Sequence, residues 1–161
     1  MNESQDERVV RSFISRMVDA WNRGHAKDFA APFSGTADFI AFDGTHLVGR
    51  QAITEFHQPL FDSAMKGAHI EGEVKFVHFP KVDVAVMHAM GMTILPGQNR
   101  PSPSRDSMQL FVAMKRNGQW LVDAMLNARC FTLEQQRFAD NFELLTTQAR
   151  REVIERVTLH H

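Results

Sequence analysis

Ala37-Asp38-Phe39-Ile40-Ala41-Phe42-Asp43-Gly44-Thr45-His46-Leu47-Val48 is the stretch in which the chain changes its period. Before it, apolar residues recur every three or four positions. From Ala37 onward they alternate or run together, and Asp43-Gly44 is the dipeptide of a tight hairpin turn. A strand, a turn and a short second strand are predicted here. Upstream, Val9, Val10, Phe13, Ile14, Met17, Val18 and Trp21 form the stripe of an amphipathic helix that Gly24 stops. A short second helix follows over Ala26 to Phe33, ended by Pro32 and Gly35. Downstream of Gly49, Ile53, Phe56, His57, Leu60 and Phe61 share the face of a third helix, in which Pro59 is expected to make a kink.

From His69 the chain reads as strands: Ile70 to Phe79, Val82 to Leu95, Arg105 to Lys115 and Gln119 to Cys130. They are separated by Pro80, by the loop Pro96–Pro103 and by Asn117-Gly118. Val84-Ala85-Val86-Met87-His88-Ala89-Met90-Gly91-Met92 has no polar face, so both of its sides are expected to be covered, one by helices and one by a second subunit. Thr132 and Gln135 open a closing helix with the stripe Phe138, Phe142, Leu145, Ala149 and Val153. The expectation is an α+β fold in which helices pack on a long, strongly curved, mostly antiparallel sheet that encloses a small-molecule cavity. Residues 1–131 form the domain, and 132–161 a helical extension of it.

Composition narrows the function. The 161 residues carry 18 Lys and Arg against 19 Asp and Glu, without the basic excess of a nucleic-acid binder. Hydrophobic residues make up 43%, enough for a core but with no run of 18 that would span a membrane. One cysteine, Cys130, excludes an internal disulfide, and the polar, acidic start is unlike a signal peptide. A soluble, cytoplasmic protein is expected.

An ordered set of short pieces resembles a known family. Trp21-Asn22 closes the first helix; Asp28-Phe29-Ala30 and Phe33 follow, then Ala37-Asp38-Phe39-Ile40, Gly44, Gly49-Arg50 and Ile53. His57 with Phe61, Asp83-Val84-Ala85-Val86, Gly91, and Asn117-Gly118-Gln119-Trp120 leading to Asn127 complete it. Over about residues 9–130 the chain thereby resembles the NTF2-like superfamily, within it the SnoaL-like group, and most closely the SgcJ/EcaC family. The resemblance implies a cone-shaped barrel, usually dimeric, with a hydrophobic pocket, and a setting in polyketide and enediyne natural-product pathways. It brings no cofactor: the chain has no GxGxxG fingerprint for a nicotinamide or flavin. Pro59, the tail after Phe131, and Met125-Leu126-Asn127-Ala128-Arg129 in the last strand depart from the family pattern.

His57 is the foremost site candidate, because a histidine on an apolar helix face loses basicity by desolvation and can serve as a general base. The alternative is a core histidine satisfied by a backbone carbonyl. Asp38 sits where superfamily enzymes place a pocket acid, and facing His57 it would titrate with it as a unit. On the last strand Asp123, Met125 and Asn127 share a face by the period of two, with Asn127 as the orienting amide, although one β-bulge would reverse the face. For Asp123 a surface charge is the favoured reading. Trp21, Phe42, Phe56, Met87, Met108 and Met125 are the expected wall for a small apolar molecule. His78 and His88 have no acid at ligand spacing, so no metal is expected. There is no tyrosine, which excludes the ketosteroid-isomerase device of a Tyr hydroxyl on the substrate carbonyl. The expected function is that of a cofactor-independent acid–base enzyme of the cyclase or isomerase kind acting on a polyketide-like apolar carbonyl compound; the alternative is a non-catalytic ligand-binding or accessory protein.

Overall fold

The computed structural model describes residues 3–130; the helix expected over 132–161 lies outside them. Helix α1, Gln5–Asn22, begins where the Ser4 hydroxyl accepts the Glu7 N–H at 3.1 Å, with Asp6 and Glu7 in the positively polarised first turn. It buries Val10, Phe13, Ile14, Met17 and Ala20, the predicted stripe. Helix α2 is a short turn, Ala26–Ala30, that stops earlier than expected because Phe33 already belongs to strand β1, Phe33–Ile40. Strand β2, His46–Val48, completes the hairpin. Helix α3, Gly49–Asp62, runs as one helix through Pro59. Gly49 has φ +83°, and a Cβ there would stand 2.4 Å from the Gly35 carbonyl oxygen, so only glycine lets α3 start this close to β1. The Arg50 guanidinium clamps the two elements through bonds of 2.9 and 2.6 Å to the Phe33 carbonyl.

The remaining strands are β3, His69–Lys81; β4, Val84–Ile94; β5, Ser107–Arg116; and β6, Gln119–Arg129, with a 3-10 turn at Pro103–Arg105. The sheet order is β2-β1-β6-β5-β4-β3; every pairing is antiparallel except β1 with β6. Both ends of the sheet carry a helix on one face, α1 against β3 and α3 against β1. At the α1 side Gly72 makes the approach possible, since a Cβ would lie 2.8 Å from Ile14 Cγ2 and 2.9 Å from Val18 Cγ2. The Asn22 amide then bonds both backbone groups of Ile70, at 2.8 and 3.0 Å. The middle strands lie between these two helical supports, and the core residues Phe13, Phe33, Ile53, Met87, Phe111 and Val122 fill the closed end.

The inner faces of β4 and β5 present Ala85, Met87 and Ala89, and Gln109, Phe111 and Ala113. The outer faces carry Val86, His88 and Met90, and Met108, Leu110, Val112 and Met114. On β6 the register steps from Ala113↔Val122 to Val112↔Ala124, which leaves Asp123 as the extra residue of a β-bulge. Val122 and Met125 are therefore both buried, and Asp123 does not share the face of Met125 and Asn127. Asp123 pairs instead with the Arg116 guanidinium, 2.8 Å from Nη1 and closer still to Nη2, which holds its carboxyl below the usual range. Among the described residues no helix is long and apolar enough to cross a membrane, and no group of three or more potential metal ligands occurs.

Candidate functional site

Between α1, α3 and the inner sheet face lies a cavity of about 310 Å³, at the small end of the roughly 300–1,000 Å³ usual for small-molecule sites. Its inner end is aromatic. His57 is 4% exposed, and its ring centroid lies 4.5 Å from that of Phe29, 5.3 Å from Phe39, 5.8 Å from Phe61 and 6.2 Å from Trp21. Trp21 packs edge-on against Phe61 at 4.7 Å, and its indole N–H is buried with no acceptor among the described residues.

The imidazole Nδ1 stands 2.7 Å from the Ile53 carbonyl oxygen. A carbonyl only accepts, so Nδ1 holds the proton and Nε2 the lone pair. Burial pushes the pKa down to about 4, against a smaller opposing effect of the Ile53 bond. The ring is neutral at neutral pH, as expected for a desolvated histidine, and it has the backbone-carbonyl bond of the alternative reading.

Asp38 is not its partner. The alternation Ala37 in, Asp38 out, Phe39 in points this carboxylate away from the cavity, where it meets His46 Nε2 at 2.6 Å with both side chains more than half exposed. The expected acid–base pair is corrected accordingly. Three of the six expected wall residues, Trp21, Phe42 and Met125, line the cavity. Met87 points inward but is packed into the core, Met108 is on the outer sheet face, and Phe56 is on the exposed side of α3 next to His57. None of these three lines the cavity, so they are removed from the wall. Asn127 lines it and accepts a 3.2 Å hydrogen bond from Gln109 Nε2, which also donates to Ser107 Oγ at 2.7 Å. With its oxygen so engaged, the Asn127 amide N–H₂ is the group left to donate.

The register of β5 against β6 arranges this wall in steps. Phe111 faces Met125, Gln109 faces Asn127, and Ser107 faces Arg129, about 6.6–6.8 Å from one pair to the next. Polarity thus rises from aromatic to amide to hydroxyl and guanidinium along one direction. Gly91 keeps space beside the middle step, because a Cβ there would come within 3.0 Å of Ser107 Oγ and 3.1 Å of Gln109 Nε2. Gln109, Ser107, Arg129, Arg105 and Phe29 are lining residues not singled out from the sequence. Gln109, the one amide among the apolar residues of β5, was the available signal.

This chain is similar over 98% of its length to 97% of a crystallised domain of unknown function with a cystatin-like fold from Nostoc punctiforme, at 48% identity and a TM-score of 0.93. The chain belongs to the family of that domain. The wider fold is shared with an NTF2-like protein from Novosphingobium aromaticivorans, at 13% identity and TM-score 0.68 over 83% of this chain and 88% of that one. It is shared also with a ketosteroid isomerase-like protein from Erwinia carotovora atroseptica, at 15% identity and TM-score 0.65 over 81% of this chain and all of that one. No protein-family model and no curated protein matches the chain. The family's architecture is thus the NTF2-like, cystatin-like α+β fold expected from the sequence.

Proposed function

We propose that this protein is a small-molecule binding protein that takes up a polyketide-like compound with an apolar body, as its resemblance to the SnoaL-like group and the SgcJ/EcaC family of natural-product pathways suggests. The observation that carries this reading is the aromatic end of the cavity around a neutral His57, with no carboxylate beside it among the described residues. A base whose conjugate acid has a pKa of about 4 is far from the neutral value at which proton abstraction works best. Without Asp38 to stabilise an imidazolium, the ring serves as a flat wall and a hydrogen-bond acceptor at Nε2.

The second reading, a cofactor-independent acid–base enzyme of the cyclase or isomerase kind, draws on the fixed tautomer. Nδ1–H is anchored, Nε2 has no partner among the described residues, and the Asn127 amide could hold an enolate oxygen. One experiment separates the two. The protein is titrated with 1-acetylnaphthalene while Trp fluorescence is followed, and exchange of the ketone's methyl protons in D₂O is read by NMR. Saturable binding that a Gly91→Leu variant abolishes, with no protein-accelerated exchange, is the expected result. Exchange that His57→Gln removes would establish the enzyme instead, and absence of saturable binding would overturn both.

The proposal includes a cytoplasmic homodimer formed through the outer sheet face. Met108, Leu110 and Leu126 are 40–46% exposed there, beside Phe76 on β3, and a solitary chain would present them to water as one patch. A second copy of the same face would cover them.

A further inference from the structure

The cationic end of the cavity has no counterpart in the reading above. Arg129, at the end of β6, lies with its guanidinium carbon 4.3 Å from the centre of the Phe42 ring and donates from Nη1 to the Arg105 carbonyl oxygen at 2.8 Å. Arg105, from the 3-10 turn, lines the same cavity, and among the described residues its one side-chain partner is the weak acceptor Met65 Sδ at 3.9 Å. Among the described residues neither guanidinium makes an ion pair, although five other Lys and Arg side chains do, Arg11, Arg23, Lys75, Lys115 and Arg116. Glu71, an exposed residue of β3, also lines the cavity and pairs with neither. Two like charges share a partly desolvated rim, and burial followed by the neighbouring Arg105 holds the Arg129 pKa below the usual arginine range. Such a pair gains from an anion held between them, and the planar guanidinium fork suits a carboxylate.

We infer that the cavity takes an amphipathic organic carboxylate, with its apolar body at the His57–Phe29–Trp21 end and its carboxylate at Arg129 and Arg105. The inference rests on the binding reading above and names the class of molecule. The stepped wall sets the ligand's dimensions. From the Phe111–Met125 pair to the Ser107–Arg129 pair is two steps, about 13 Å along the strands. A ligand thus needs a ring system and a short spacer before the acid. Asn127 and Gln109, half-way along, would meet a carbonyl or hydroxyl on that spacer.

The test compares three probes of nearly one shape: 1-naphthylacetate, the neutral 1-naphthylacetamide, and 1-acetylnaphthalene. Affinities of the full chain are measured by calorimetry at low and at physiological salt. The acetate is expected to bind roughly 10- to 100-fold more tightly than the amide, as for hydrogen bonds to a charged group. Arg129→Gln should lower acetate binding far more than amide binding, so that the acetate-to-amide ratio falls toward one. Arg105→Gln, which leaves the Phe42 stack in place, should lower acetate binding in the same direction, and Arg129→Lys should retain part of it. An unchanged circular dichroism spectrum and melting temperature in each variant show that the fold is intact. Equal affinity of acetate and amide for the natural chain, or an acetate preference that survives both glutamine variants, overturns the inference and leaves the binding reading standing. If none of the three probes binds, the binding reading itself has failed.

Discussion

Acid should destabilise this protein through one ring. In the folded state His57 has a pKa of about 4, because burial among aromatic side chains disfavours its charged form. In the unfolded chain the same ring returns to about 6.5. Between those values the unfolded state binds a proton that the folded state refuses, so stability falls as the pH falls. The contribution is fully present above the unfolded pKa. It is lost at roughly 1.4 kcal/mol per pH unit below 6.5 and levels off near 4, a total of roughly 3 kcal/mol. The assay is urea denaturation at half-unit intervals from pH 4 to 8 for the natural chain and for His57→Gln. Glutamine approximates the ring's length and can keep a bond to Ile53, but it does not titrate. The difference between the two stability curves isolates this ring from every other group. It should be constant above pH 7 and shift by about 3 kcal/mol against the natural chain by pH 4. A difference that stays flat through the whole range would refute the desolvation argument, as would an NMR titration of the His57 ring near 6.5.

Two further outcomes follow from the packing. Gly72→Ala would press a methyl group into Ile14 and Val18, both in contact across the α1–β3 approach, and should cost about 1–3 kcal/mol of stability in denaturant titration; an unchanged midpoint would mean that α1 shifts freely on the sheet. Leu110→Glu, on the outer face, should turn a dimer into a monomer by light scattering while leaving the fold's circular dichroism intact; a natural chain that is already monomeric at micromolar concentration would remove the dimer.

The elements of the fold were legible because their signals are local. The stripe of α1, the Asp43-Gly44 turn and the Asn117-Gly118 turn each declare themselves within a few residues, and the elements form at those places. The site was less legible, for reasons that differ from residue to residue. Asp38 could have been placed correctly, since a strand residue next to an inward Phe39 must point outward. Met108 could not. On β5 the outer residues Met108, Leu110, Val112 and Met114 are more apolar than the inner Ser107, Gln109, Phe111 and Ala113, so hydrophobicity selects the wrong face. On β6 the bulge at Asp123 puts Val122 and Met125 on one side although they are three residues apart, and that register comes from the pairing with β5 rather than from the strand itself. Arg105 and Arg129 meet only because the 3-10 turn and the end of β6 converge in space.

The parallel seam between β1 and β6 bears on how the molecule comes together. Phe39 and Met125, paired across that seam, are 86 positions apart, and both line the cavity. A hairpin such as β5–β6 needs to close only a short loop, whereas this junction costs the entropy of a very long one before any contact repays it. The cavity has no complete wall until the seam has closed, so it is expected to form late in folding. A bound molecule would accordingly stabilise the finished protein by slowing its unfolding, with little effect on how fast the chain folds.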